Sequence, residues 1–157
     1  MQITKLITAA ACFFALGLAS EPSDANLIDK ATFQKDIAPF LIQRITAFRN
    51  DNAATLQPDQ NAYLDKILHK IETADRSNLE AVRVEGVDLF GEETARTLLA
   101  GKENTLDHPV SKRAAKCSCA TDSDWCWNNT KCRSGGCTIQ KDQCGTFGTY
   151  HCDGRCG

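Results

Sequence analysis

Residues 117–157 read CSCATDSDWCWNNTKCRSGGCTIQKDQCGTFGTYHCDGRCG. Eight cysteines fall in this stretch: Cys117, Cys119, Cys126, Cys132, Cys137, Cys144, Cys152 and Cys156. The ninth, Cys12, lies in an N-terminal apolar run. An even set of cysteines in a short exported segment is the pattern of a disulfide framework, here four bridges. Eight cysteines allow roughly a hundred pairings, and spacing alone does not choose among them. Besides alanines, Ile139 is the only aliphatic residue from Ala114 onward. A segment of this size without a core is normally stapled, and each disulfide contributes about 2–4 kcal/mol. The expected fold class is a small disulfide-rich domain of short β-strands and turns, preceded by an α-helical pro-segment. Ser134-Gly135-Gly136 and Asp153-Gly154 are turn signals, and Cys137–Gln140 reads as a strand.

Upstream, Met1 to Ala19 has the three parts of a secretory signal. Lys5 supplies the positive start, Leu6 to Leu18 the apolar run, and Gly17-Leu18-Ala19 the small residues before a cut after Ala19 or Ser20. The run is shorter than the ~20 residues a membrane helix needs, and no later stretch is apolar enough to span. A secreted, extracellular product without a transmembrane segment is expected. The formal net charge of -2 gives no field directed at nucleic acid.

Residues 20–113 contain no cysteine. Phe33, Ile37, Phe40, Leu41, Ile45 and Phe48 fall on one helical stripe, roughly 140° wide at about 100° per residue. Asp29 or Thr32 can cap it, and Pro39 requires a kink or a start nearby. Leu64, Ile67, Leu68 and Ile71 form a second stripe, with Pro58 as a first-turn residue. Two shorter helices are expected over 78–84 and 92–99, the latter stopped by Gly101. Together they predict a small, marginal bundle. Residues 101–109 are polar and turn-rich and read as an exposed linker.

Lys112-Arg113 ends that linker, four residues before the first tail cysteine. Chance alone supplies roughly two adjacent basic pairs in a chain with 18 lysines and arginines, so the position of the pair carries more than its existence. An exposed linker is where a protease reaches extended backbone. The layout is a signal over 1–19, a helical pro-segment over 20–113 and a cysteine-rich mature peptide over 114–157. It resembles the precursors of fungal secreted small cysteine-rich effectors and toxins, which are cut by kexin-type proteases. That resemblance implies processing at Lys112 and Arg113 and a partner in a host or competitor, either a protein or a cell-surface component. The pro-segment can assist cysteine pairing, mask the tail, serve as a solubilising spacer, or act in its own right.

Trp125-Cys126-Trp127 places two tryptophans on the face opposite Cys126 in an extended chain. They either form a contact surface or fold over the disulfides as a substitute core. The stretch 144–152 resembles the aromatic sugar-binding turn of hevein-type chitin-binding modules, although those carry an adjacent Cys-Cys pair that is missing here. That likeness makes Phe147 and Tyr150 candidate stacking residues alongside Trp125 and Trp127. Asn128 heads an N-glycosylation sequon.

Catalysis has little to stand on. His151 is the only tail residue suited to general-base work, and its neighbour Cys152 is expected to be oxidised. Asp122, Asp124, Asp142 and Asp153 read as turn residues. The cysteine spacing does not match paired Cys-x2-Cys zinc knuckles, so neither metal nor cofactor is expected. The alternatives to an effector are an antimicrobial peptide, a carbohydrate-binding module, or a protease inhibitor with Arg133 or Lys141 as its specificity residue. The tail's charge of about +1 counts against membrane disruption.

Overall fold

The computed structural model describes residues 26–101, 116–123, 126 and 130–157, with backbone only at 141 and 142. The signal segment 1–19, the linker 102–109, Lys112, Arg113, Asp124, Trp125, Trp127 and Asn128 lie outside the described residues.

The first helix opens at α1 (Lys30–Thr32), where the Asp29 side chain accepts from the Thr32 backbone N–H at 2.9 Å. The helix then widens into a π-turn over Phe33–Ile37 before continuing as α2 (Ala38–Asp51). Pro39 accounts for the widening. It has no N–H to donate to Lys35, and its ring would crowd that carbonyl, so the turn relaxes to an i→i+5 pattern. The Ala38 N–H accordingly donates to the Phe33 carbonyl. Phe33, Ile37, Leu41 and Ile45 all point inward. Phe40, expected on the same stripe, does not. It is 37% exposed, with the Arg44 guanidinium over its ring at 4.4 Å.

α3 (Pro58–Thr73) starts on Pro58, with a reciprocal cap between Gln57 and Gln60. Tyr63, Leu64, Ile67 and Ile71 are its buried face. The turn into α4 (Leu79–Phe90) passes through two left-handed residues, Ala74 and Asn78. Lys70 holds this turn by donating to the Asp75 carboxylate at 2.6 Å and to the Ser77 carbonyl at 3.0 Å. The hydrogen bond from Lys70, followed by those from Ser77, keeps the Asp75 carboxyl well below its ordinary range. Gly86 is required in α4, because a Cβ there would lie 2.5 Å from the Tyr63 hydroxyl. That hydroxyl donates to the Val82 carbonyl at 2.7 Å, and burial raises its pKa. Gly91, at φ +77, separates α4 from α5 (Glu92–Leu99). The fourth helix is longer than its sequence periodicity suggests, and the fifth matches its expected span.

The C-terminal region has four disulfides: Cys117–Cys137, Cys119–Cys132, Cys126–Cys156 and Cys144–Cys152. They staple two short antiparallel pairs. β1 (Cys132–Ser134) pairs with β4 (Gly154–Cys156), in the register Cys132 to Cys156 and Ser134 to Gly154. β2 (Gln140–Cys144) pairs irregularly with β3 (Tyr150–Cys152). Thr138 precedes β2 in a single bridge to Lys116, so the expected strand over 137–140 begins later.

One buried cluster runs through both regions. It joins Phe33, Ile37, Leu41, Leu64, Ile67, Leu98 and Leu99 of the helices to Cys117, Ala120, Cys144, Phe147, Tyr150 and Cys152 of the disulfide module. Each large apolar side chain withdrawn from water contributes about 1.5–3 kcal/mol. Leu64→Ala is expected to lower the unfolding free energy by about 2–5 kcal/mol in urea titration followed by helical circular dichroism. A loss below ~0.5 kcal/mol would mean that Leu64 is not a core residue.

Candidate functional site

The loop closed by Cys144–Cys152 is tightly constrained. Gly145, Phe147 and Gly148 all have positive φ, at 74°, 58° and 63°. Glycine tolerates that region, but for phenylalanine it costs about 1–2 kcal/mol. Such a conformation persists only where the surroundings hold it, and here they do. Ser123 Oγ accepts from the Thr146 N–H at 3.1 Å, and the Thr149 hydroxyl donates to the Thr146 carbonyl at 3.0 Å. The Gly148 N–H donates to the Gly145 carbonyl at 2.9 Å. At Gly145 a Cβ would lie 2.6 Å from that of Ser123 and 2.7 Å from the Tyr150 ring, so a side chain is excluded there.

Two extended straps from the helical segment grip this loop. The first is 26–28, just before α1. Leu27 bridges Tyr150 in antiparallel fashion, and the Ile28 N–H donates to the Thr149 carbonyl at 2.8 Å. Asn26 Nδ2 donates to Asp122 at 3.0 Å and to Asp153 at 3.3 Å. The second strap, 100–101, follows α5. Ala100 bridges Thr146, and the Leu99 carbonyl accepts from the Phe147 N–H at 2.6 Å. Gly101 lies backbone-to-backbone against the loop. A Cβ on it would run into the Gln143 carbonyl and come within 2.8 Å of the Gly148 Cα. Gly101 is therefore buried, whereas the sequence reading placed it in an exposed linker.

Three arginines of the helical segment hold the straps and the module. Arg76 donates to the Ile28 carbonyl, and its guanidinium lies 5.4 Å from the centre of the Phe33 ring. Arg44 Nη1 donates to the Thr97 and Ala100 carbonyls, both at 2.7 Å, and Nη2 to Gly101 at 3.3 Å. Arg96 is buried and donates to the Cys126 carbonyl at 2.6 Å, with Glu92 3.6 Å away. Burial lowers the Arg96 pKa, and the Glu92 charge opposes that shift.

Two of the four expected binding anchors, Phe147 and Tyr150, are therefore not on a free surface in the joined chain. Phe147 is 1% exposed and Tyr150 4%, in a cluster that joins the helical residues to Cys117, Ala120, Cys144 and Cys152 of the module, whose one larger aliphatic residue, Ile139, is exposed. Burial, followed by the charge of Asp122, raises the Tyr150 pKa. Neither ring is open to stack on a sugar. Arg133 is exposed but sits in the middle of β1, opposite Arg155, and not on a protruding loop. Asp153 is a structural acceptor, taking the Thr121 N–H at 2.8 Å and hydroxyl at 2.6 Å. His151 Nδ1 is buried with no hydrogen-bond partner among the described residues, beside an oxidised Cys152. The sulfurs of Cys119, Cys126 and Cys132 lie within 4.8 Å of one another, but each is in a disulfide and none is a metal-binding thiolate. Sequence reasoning missed Ile28, Arg44, Arg76, Arg96 and Leu99, whose partners are far away in the chain. The only available signal was the module's shortage of aliphatic side chains.

No family model matches the chain, nor does any curated protein or solved structure. Among the described residues no helix is long and apolar enough to cross a membrane.

Phe147→Ala is expected to lower the stability of the joined, disulfide-intact chain by about 3–5 kcal/mol in urea unfolding. A change within ~0.5 kcal/mol would instead mark Phe147 as a surface residue.

Proposed function

We propose that the chain is a secreted precursor of a disulfide-stabilised peptide of the fungal effector or toxin kind, which binds its target and does not catalyse a reaction. The peptide begins at Ala114, after a kexin-type protease cuts at Lys112-Arg113. It acts on a protein or cell-surface component of a host or competitor, with Trp125 and Trp127 as its standing anchors. One observation carries this reading. The four disulfides pair all eight tail cysteines with one another, and residues 20–113 have no cysteine. A cut between Gly101 and Lys116 therefore leaves no covalent tie. A cross-linked scaffold also lowers the ordering cost of binding.

The core shared by helices and module favours a second reading, in which the uncut chain is the working protein. Intact mass spectrometry of the protein secreted by its native producer separates the two. The first reading expects a species starting at Ala114 that gains eight hydrogens on reduction of its four disulfides. A species running from about Ser20 to Gly157, with no shorter one, would overturn it in favour of the second.

A further inference from the structure

We propose that the helical segment 26–101 is a built-in ligand of the cysteine-rich module. After the chain is cut, the two parts stay together as a non-covalent 1:1 complex, and the Phe147–Tyr150 face opens only when the segment is expelled. The processing reading supplies only the position of the cut.

Three independent observations converge on the Cys144–Cys152 loop. The first is its coverage: Phe147, Tyr150, Thr146 and Thr149 are all buried, and the two rings belong to a cluster shared with Ile28, Leu98 and Leu99. The second is the backbone pairing on both flanks, through Ile28 N–H to the Thr149 carbonyl and Phe147 N–H to the Leu99 carbonyl. Expelling the segment strips a donor and an acceptor of these partners while two aromatic rings enter water. The loss of both terms together makes the segment a ligand and not a tether. The third is the preparation of the grip on the helical side. Arg76 fixes the carbonyl of the first strap, and Arg44 fixes two carbonyls of the second. Straps held in the bound shape lose little freedom on docking.

The cut falls in sequence between the residues that make these contacts. Lys112-Arg113 lies in sequence between Gly101, which ends the second strap, and Lys116, which bridges Thr138 inside the module. Every contact described here is made by residues on one side or the other of that interval. The chemistry of the covered face also defines what can replace the segment. A competing partner must bring an extended backbone able to donate to the Thr149 carbonyl and accept from the Phe147 N–H. It must also bring apolar side chains to a face whose rings, Phe147 and Tyr150, share a buried cluster with Ile28, Leu98 and Leu99.

The test starts from the full chain with its disulfides intact, cut in vitro by a dibasic-specific protease. If Lys112-Arg113 resists, that counts against the processing reading alone, and the cut is made at a site-specific protease sequence replacing residues 108–113. Native mass spectrometry and size exclusion at about 1 μM are expected to show one species holding both parts, which separates only in denaturant. Two separated parts in native buffer would overturn the proposal. Gly101→Val and Ile28→Asp, each made in the helical segment, are expected to shorten the lifetime of the cut complex by tenfold or more. A complex that persists with unchanged lifetime in both variants would overturn the two-strap grip. Where a variant does not fold, persistence of the wild-type complex still decides the main claim.

Discussion

Two aromatic rings in the Cys144–Cys152 loop have to be kept from water by residues that the loop's own region does not contain. Ile139, the one aliphatic residue there besides alanine, is itself 65% exposed. The disulfides fix where the loop goes, but sulfur bridges cover little surface. Phe147 and Tyr150 share one buried cluster with Ile28, which precedes the first helix, and with Leu98 and Leu99, which end the last. The left-handed turn at Phe147 and the backbone-to-backbone approach of Gly101 to Gly148 belong to the same solution. They bring the loop close enough for both straps to pair with it.

The covalent and non-covalent forces are divided cleanly between the parts. All four disulfides lie inside the module, where each restricts the unfolded chain by an amount worth about 2–4 kcal/mol. Nothing covalent except the backbone joins the module to the helices. That junction rests on apolar burial, on backbone hydrogen bonds worth about 0.5–1.5 kcal/mol each, and on the arginine contacts. Arg96 shows why the junction is specific. Its guanidinium is buried in the joined chain and donates to the Cys126 carbonyl, a charge-assisted bond that displacing the module would break. The backbone pairings and arginine contacts described at the junction are all made by residues outside 102–115.

The helices were legible because their signals are local. Asp29 caps the first, Pro58 opens the third, and the stripe through Leu64, Ile67 and Ile71 faces the core. The cysteine count and the absence of an upstream partner made the four bridges legible as a set, and their pairing emerges only from the fold. Phe40 shows a local limit: it shares a stripe with Leu41, yet the π-turn before Pro39 shifts the phase and leaves it facing Arg44. The straps were not legible. Asn26, Leu27, Ala100 and Gly101 look like unremarkable flanks of helices, and their meaning depends on residues about 45 to 125 positions away. Phe147 and Tyr150, expected as candidate stacking residues, are buried in the joined chain. Composition shows that the tail cannot build a core, but not that another segment supplies one.

Site-resolved amide hydrogen exchange on the intact, oxidised chain tests the shared core most directly. The two reporter amides are Ile28, which donates to Thr149, and Phe147, which donates to Leu99. If helices and module are one folded unit, both exchange within about tenfold of the slowest amides of α3, such as those of Ile67 and Ile71. Exchange of both near the rate of an unprotected amide, with α3 still slow, would mean that the helical segment and the module fold separately and that the loop is uncovered in solution.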